Sequence, residues 1–407
     1  MSMIRCRYGG PTGRPYQYQN GSITQIPMRI LLLCKRQYTQ RDLLDDRYGR
    51  LWELPLALAR RNNQVRGVCL SYEQRTEGAA VIDHGSGTGQ GEISWHSLNA
   101  GALRLPGLLN FLRHARQLAR LFRPDVIWSA SDSFYGIIGE RIARTTGAAH
   151  VFDLYDNFES FGAVRLPGMR AAYRAVVRRA HGVTCVSEPL REKIANEYRR
   201  TGPVLVLPNA IDRLLFHPRD PVLCRRQLGL PTDAQLIGIA GAISRSRGIE
   251  TVFDAAARLM HGRDHVHLVL AGPRDRGLVF PDDPRVHDLG ILPYADVPTL
   301  INALDVALIP NRDSEFGRYC FPQKAYEYLA CRVPVVASDV GAMHSLFEEC
   351  PQSRFRPENR DDLLRALIDQ LDQPCRVSTP IPDWEELGAR LDSFLRQVVS
   401  AHPSAAS

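Results

Sequence analysis

Lysine is almost missing from this chain of 407 residues. Of its 51 basic residues only Lys35, Lys193 and Lys324 are lysine, and the rest are arginine. A GC-rich coding sequence accounts for the bias, and it draws attention to the three places where a lysine remains. Long apolar runs are missing too. Nothing approaches the ~20 residues that span a bilayer, and the N-terminus has no apolar signal core. The expectation is a cytoplasmic protein. The nine cysteines, Cys6 to Cys375, include no C-x-x-C pair and no His/Cys cluster at metal spacing. No metal site is expected. Cys34, Cys69 and Cys185 lie inside apolar runs and read as buried free thiols in a reducing compartment. Strong charge is also absent. The net +7 includes Arg5, Arg7 and Arg14 at the N-terminus, where residues 1–27 hold no acid. The mildly basic remainder is too little to point to nucleic acid as a partner and leaves room for an anionic substrate or an anionic lipid surface.

What is present is strand and helix in alternation. Residues 1–27 lack periodicity and read as a disordered tail, or as upstream sequence before a start at Met28. From Met28 short apolar runs begin: Arg29–Cys34, Arg66–Tyr72, Asp125–Ser131, His150–Asp156, Gly182–Ser187 and Pro203–Pro208. Continuous apolarity marks strands buried on both faces. Amphipathic stretches separate them, as at Leu51–Arg61, Leu108–Phe122, Tyr135–Arg144 and Met169–Ala180. Residues 73–107 read mainly as a long loop. A second series follows Asn209, with strands at Leu236–Ala242, His265–Ala271, Val306–Ile309 and Val333–Ser338 and helices at Ile249–Met260, Ala295–Ala303, Gln323–Ala330 and Arg360–Leu371. The fold class is α/β. The expected domains are 28–208 and 209–378, followed by a helix in 379–399 and a tail at 400–407. Gly85–Gly91 (GSGTGQG) neither follows a clear strand nor opens a helix, so it reads as a loop rather than a phosphate cradle. Arginines on Leu108–Arg123 and Met169–His181 suit a solvated helix face, with anionic lipid as the alternative. His265 and His267 lack a carboxylate or cysteine partner and read as structural.

Four segments carry chemistry. Gly241–Gly248 (GAISRSRG) sits between a strand and the helix at Ile249. Free N–H groups at a helix start favour phosphate, and Arg245 and Arg247 add charged donors. In Phe321–Ser338 (FPQKAYEYLACRVPVVAS), Lys324 and Glu327 are three apart and share a helix face. Lysine for phosphate and carboxylate for ribose hydroxyls would make a nucleotide-binding pair; a surface salt bridge is the plainer reading of such spacing. Val206–Asp212 (VLPNAID) ends the first domain, and Ala271–Pro273 (AGP) ends a buried strand, with Gly290 further on.

These segments, with VHDLGILPYADVPTLINALDVALIP and VASDVGAM, resemble the donor-binding domain of glycosyltransferase family 4, in family order from about Val204 to Met343. The first half resembles the family's acceptor domain more loosely, through Met28–Cys34, Tyr48–Asn62 and Asp153–Phe161 (DLYDNFESF). Trp384–Val399 resembles the helix that crosses back to the first domain. The resemblance implies a GT-B fold: two Rossmann-like doubly wound domains facing each other across a cleft. It implies transfer of a sugar, with retention at the anomeric carbon, from a UDP- or GDP-sugar to a glycan or lipid-linked acceptor, as in bacterial surface polysaccharide synthesis. No cofactor is expected beside that donor. Arg247 matches the phosphate-binding lysine and Glu327 the ribose-binding glutamate. Gly49 matches the glycine-rich loop of the first domain, and Ile291 the position whose backbone meets the nucleobase. Gly272 lies in the AGP segment, and Asp156 lies where the family places a His or Asp near the donor sugar.

The sequence departs from the family at three points. The usual first glutamate falls on Tyr319, the usual phosphate-binding arginine falls on Ala242, and the glycine pair is reduced to Gly49. Arg318–Tyr328 (RYCFPQKAYEY) resembles a subgroup with a P-x-K-x-x-E-Y pattern, in which Tyr319, Phe321 and Lys324 belong to the donor site and Lys324 and Arg245 replace lost contacts. The implied reaction is metal-independent, with Arg247, Glu327 and Asp156 as its catalytic groups. Alternatives are a sugar-nucleotide epimerase, a catalytically degenerate nucleotide-sugar-binding or scaffolding protein, and a nucleic-acid or membrane-surface adaptor. Peripheral membrane contact stays open.

Overall fold

A computed structural model describes residues 26–38, 41–82, 91–102 and 105–402, apart from the side chains of residues 80–82 and 163. The two expected tails and the Gly85–Gly91 segment lie mostly outside the described residues. The first half contains β1 (Arg29–Lys35), β2 (Gln37–Tyr38), β3 (Arg41–Asp42), α1 (Arg50–Arg60), β4 (Gln64–Ser71), β5 (Gly78–Ile82), β6 (Ile93–Asn99), α2 (Leu105–Phe122), β7 (Val126–Ser129), α3 (Ser133–Thr146), β8 (Ala149–Leu154), α4 (Met169–Arg179), β9 (Gly182–Cys185), α5 (Glu188–Asn196) and β10 (Val204–Val206). The second contains α6 (Pro221–Leu228), β11 (Gln235–Ala240), α7 (Ile249–Gly262), β12 (Val266–Ala271), β13 (Val286–Asp288), α8 (Val297–Ala303), β14 (Val306–Ile309), α9 (Gln323–Ala330), β15 (Val335–Ser338), α10 (Ala342–Leu346), β16 (Arg354–Phe355), α11 (Arg360–Asp372) and α12 (Trp384–Ala401).

The described strands form one large sheet per half and a separate antiparallel pair, β2-β3, in the first half. The first large sheet runs β10-β9-β8-β7-β1-β4-β6-β5 and the second β13-β12-β11-β14-β15-β16. Within these two sheets all neighbours are parallel except β5 against β6. The architecture is GT-B. Each chain order reverses beside a central strand, β1 in one sheet and β11 in the other. Ligands of open α/β sheets bind beyond the carboxyl ends of strands at such reversals, and both of these ends point into the cleft between the halves.

Local sequence explains the helix ends. Asp132 caps α3 by accepting from the Phe134 N–H, and Gly147 ends it in left-handed backbone. Ser187 caps α5 and Asp220 caps α6. Asp383 and Glu386 form a reciprocal capping box on α12. That helix lies on the first half. Leu387, Leu391 and Leu395 join the core under α1, and a Cβ at Gly388 would come within 2.4 Å of the Ala57 Cβ. Only glycine permits so close a helix crossing. Buried Asn63 donates to Asp392 of α12 at 2.7 Å, fixing the axial register of the pair.

One expectation needs correction. Residues 73–107 are not mainly loop, because β5 and β6 complete the first sheet. Trp95 on β6 is fully buried over Gly67, where any Cβ would clash with its ring at 2.2 Å. Polar residues between Ile93, Trp95 and Leu98 hide this strand from a search for continuous apolar runs. The thiols expected to be buried and free, Cys34, Cys69 and Cys185, are so, and the pair that is bridged carried no expectation. Cys34, Cys69, Cys185, Cys224, Cys320 and Cys331 are buried thiols, but Cys350 and Cys375 form a disulfide. It spans 25 residues of sequence, from the segment after α10 to the segment after α11, and no local spacing announces it. No described helix is long and apolar enough to cross a membrane.

Candidate functional site

The second-domain side of the cleft is built on glycine. After β11 the chain turns through Gly241 at φ 122° and Gly248 at φ 79°, and after β12 through Gly272 at φ 140°. A side chain on Gly272 would drive into the Gly241 carbonyl at 2.2 Å, so the two turns can touch only as glycines. Gly272 N–H donates to the Gly290 carbonyl at 2.7 Å, and Ile243 N–H to Pro273 at 2.8 Å. Three loops at the carboxyl ends of β11, β12 and β13 become one floor.

Two cations converge on that floor. Lys324, in the first turn of α9, lies along Gly241, whose Cβ would stand 3.2 Å from Nζ. Arg247 ends the short turn that precedes α7 and crosses the Phe316 ring at 4.8 Å. Neither side chain has a hydrogen bond or a carboxylate at ion-pair distance among the described residues. Nearby arginines differ: Arg312 pairs with Glu358 at 3.0 Å and Arg318 with Asp313 at 2.5 Å. Burial, reinforced by repulsion from Arg247, pulls the Lys324 amine down to about 7. Glu327, one turn further along α9, is 7% exposed. Burial pushes its carboxyl up to about 7 against the hydrogen bond from Gln323 at 3.0 Å and the attraction of Lys324 and Arg41. Arg41 reaches across from the first domain, over the rings of Tyr48 at 5.1 Å and Tyr294 at 5.6 Å. Those two rings meet edge to face at 4.7 Å, one from each domain.

The facing side presents Asp156, just beyond β8. Burial raises its carboxyl to about 6, against the Asn157 N–H at 2.8 Å and the cations Arg247 and Lys35. Asp156 therefore feels one cation from each domain. Polar contacts hold the halves in register around it. Asn157 donates to the Glu315 carboxylate at 3.0 Å, Ser187 to the Tyr319 carbonyl at 2.6 Å and Asn209 to the Phe321 carbonyl at 2.9 Å. Lys193 lies 3.4 Å from Glu315 and 4.6 Å over the Tyr319 ring. All three lysines thus sit in or beside the cleft.

The structure brings Arg247, Lys324, Glu327, Gly272 and Asp156 together. Gly49 caps α1 at φ 77°, ψ −173°, next to Tyr48 at the cleft mouth. Arg245 goes elsewhere: its side chain donates to the Gly277 carbonyl at 3.2 Å and pairs with Glu250 at 3.4 Å. The Ile291 residue is 72% exposed. Tyr319 packs with the first-domain cluster, and Phe321 lies 4.6 Å from Tyr326, so both join the domains rather than face the cations. Three cleft residues escape a motif search: Lys35, Arg41 and Asp132. The rarity of lysine was the available signal for Lys35. Arg50 was missed too. It is fully buried, paired with Asp153 at 2.7 Å, and donates to the Pro208 carbonyl at 3.1 Å in the hinge. A lone aspartate in the apolar run HVFDL was the sign that a buried cation lay opposite. Among the described residues, no three His, Cys, Asp or Glu side chains gather to hold a metal.

Comparison with known proteins agrees with this layout. Residues 50–210 match the family model described as "Glycosyl transferase 4-like domain", and residues 234–373 the one described as "Glycosyl transferases group 1". A 2-deoxystreptamine glucosyltransferase from Streptomyces kanamyceticus is 28% identical over 55% of this chain and 60% of its own. A D-inositol 3-phosphate glycosyltransferase from Stackebrandtia nassauensis is 33% identical over 50% of this chain and 52% of its own. The matched region thus spans 52–60% of the length of these curated relatives. Among solved structures, a sucrose-phosphate synthase from Thermosynechococcus elongatus superposes with TM-score 0.73 at 18% identity, covering 92% of this chain and 100% of that one. Anabaena HepE in complex with UDP does so with TM-score 0.61 at 17% identity, covering 92% and 97%. At such identities the likeness concerns the fold.

Proposed function

We infer, from the premise that this chain belongs to the glycosyltransferases built of a 4-like and a group 1 domain, that it moves a sugar from a UDP-sugar to an acceptor hydroxyl. The observation that carries this reading is the cation pair Arg247 and Lys324, adjacent, mutually repelling and without a carboxylate partner among the described residues. A protein gains nothing in stability from holding two like charges together in a cleft. A diphosphate relieves the repulsion and supplies the missing counter-charge. Glu327, one turn from Lys324, accepts hydroxyl hydrogens of a ribose.

The chemistry follows. The bond between the sugar's anomeric carbon and the β-phosphate oxygen breaks, and negative charge grows on that oxygen. Arg247 and Lys324 stabilise it where it develops, and each such donor contributes ~10²–10³ in rate. The acceptor oxygen bonds to the anomeric carbon on the face the phosphate leaves, so configuration is retained. Its proton passes to the departing phosphate oxygen. Asp156, between Lys35 and Arg247, orients the acceptor hydroxyl. Closure of the two domains keeps water from competing.

Thermal unfolding with UDP, GDP, ADP and CMP tests the reading. A ligand bound only by the native state at ~100 times its dissociation constant adds about 2.7 kcal/mol. UDP should stand out, and Arg247→Ala should abolish its shift. Equal behaviour of all four nucleotides would contradict the proposal. UDP binding with neither transfer nor hydrolysis of any UDP-sugar would favour the degenerate, binding-only reading, which the loss of the usual glutamate at Tyr319 motivates.

Lipid contact is proposed for α2. Leu105, Leu109 and Leu121 are 63%, 45% and 74% exposed there, beside Arg113 and Arg120 and with no acid on the helix. Cosedimentation with anionic vesicles, lost on Leu109→Glu, tests this; equal sedimentation of the variant would refute it.

A further inference from the structure

The first domain has its own reversal of strand order, between β1 and β7, and the residues at that point differ in kind from those across the cleft. Lys35 ends β1, and its backbone N–H donates to the Ser131 hydroxyl at 3.0 Å, tying the ends of β1 and β7 together. Ser131 holds φ at 95°, a conformation non-glycine residues rarely adopt. Such strain persists where surrounding structure enforces it, often at binding sites. Asp132 follows, with one carboxylate oxygen given to its helix cap at 2.8 Å. Lys35 lies within electrostatic reach of both Asp132 and Asp156, yet its Nζ makes no hydrogen bond or ion pair among the described residues. Its described neighbour on the remaining side is the Phe161 ring at 5.6 Å. Hydroxyls line the next strand end: Tyr72, 39% exposed, stands 3.4 Å from the Tyr135 hydroxyl.

Charge decides what this place can hold. On the first-domain wall two carboxylates face the Lys35 ammonium, and the other cation near Asp156, Arg247, comes from across the cleft. The guanidinium of Arg36 is committed to Asp42 and Asp45 at 2.8 and 3.0 Å. That of Arg75 is committed to Glu73 and Asp42 at 2.7 and 3.3 Å. A phosphate brought against this wall would meet two carboxylates with Lys35 as the one unengaged cation of the first-domain set, since Arg36 and Arg75 are taken by acids and Arg247 is given to the donor diphosphate. Hydroxyl groups fit: carboxylates accept from them, and the Lys35 ammonium donates to them. Burial raises the Asp132 carboxyl and lowers the Lys35 amine, the direction expected of polar groups held in a partly dry site without a ligand.

We propose that Lys35, Ser131, Asp132 and Asp156 form the acceptor subsite, and that it takes an uncharged polyhydroxyl ring, a sugar or cyclitol, in preference to its phosphorylated form. This deepens the reading above and rests on it for the reaction, while using residues that the donor side does not share.

The test is calorimetric titration of the full chain, with and without saturating UDP. The probes are D-glucose and myo-inositol on one side and glucose 6-phosphate and D-myo-inositol 3-phosphate on the other. At least one neutral ring should bind ~10-fold more tightly than its phosphate. Asp132→Asn, which keeps the helix cap, should narrow that gap ~5-fold without moving UDP affinity. Lys35→Gln should weaken the neutral ring without reversing the preference. A tighter phosphate, a gap that Asp132→Asn leaves unchanged, or no binding by either neutral ring overturns the proposal. Failure of UDP itself to bind, with ring binding intact, instead strikes the donor reading.

Discussion

The two halves of the molecule solve the same geometric problem with opposite charge. Each places a reversal of strand order at the cleft and hangs its polar residues on the loops beyond the strands. The second domain leaves Arg247 and Lys324 without an ion-pair partner among the described residues and keeps one buried glutamate near them. The first sets Asp132 and Asp156 against a single Lys35. Fold alone therefore does not tell the halves apart. Their unpaired charges do, and on the two proposals above the anionic leaving group goes to one wall and hydroxyl groups to the other.

Breaking that contrast at its strongest point should give the largest effect. Arg247→Ala is expected to lower kcat ~10²–10³-fold, about 3–4 kcal/mol of transition-state stabilisation, in a folded protein; steady-state turnover of UDP-sugar checks it. Lys324→Met comes next, with an expected ~10-fold loss of UDP affinity. Its amine is depressed from 10.5 to about 7. The penalty on the folded state therefore grows as pH falls from 10.5 towards 7 and is complete below that. The variant should accordingly melt a few degrees higher than the wild type at pH 6, a gain of ~1–2 kcal/mol. UDP binding at pH 8 should take up a proton in the wild type but not in this variant, as titrations in buffers of different ionisation enthalpy would reveal. Glu327→Gln should weaken UDP ~5-fold through one lost charged hydrogen bond. Because burial raises Glu327 from 4.5 to about 7, its penalty grows as pH rises through that range, so the unliganded variant should gain stability at pH 8. Arg245→Ala should change UDP affinity less than ~2-fold, since that side chain is engaged by Gly277 and Glu250; a tenfold loss would show that it swings into the site.

The second half was far more legible in the sequence than the first. Its buried parallel strands are continuous apolar runs, and Gly241, Gly272 and Lys324 sit at fixed offsets from them, so local pattern and site coincide. The first half hid β6 because ISWHSLN interleaves polar and apolar residues. It hid its charged cluster because Lys35 ends β1 while Asp132 and Asp156 lie just beyond β7 and β8, stretches apart in sequence that only the sheet brings together. Arg245 and Arg247 show the limit of motif reasoning. They are two residues apart in one loop, and a carbonyl and a glutamate across the turn send one outward while the other faces the cleft. The Cys350–Cys375 bridge was equally invisible, since a contact between two loop ends carries no local signature.

The most direct measurement is calorimetric titration of UDP into three proteins: the wild type, Arg247→Ala with Lys324→Met, and Lys35→Gln with Asp132→Asn. The account predicts that the second-domain pair loses more than ~100-fold in affinity while the first-domain pair stays within ~3-fold of the wild type. Equal losses in both pairs, or a loss confined to the first-domain pair, would contradict the division of charge between the two walls.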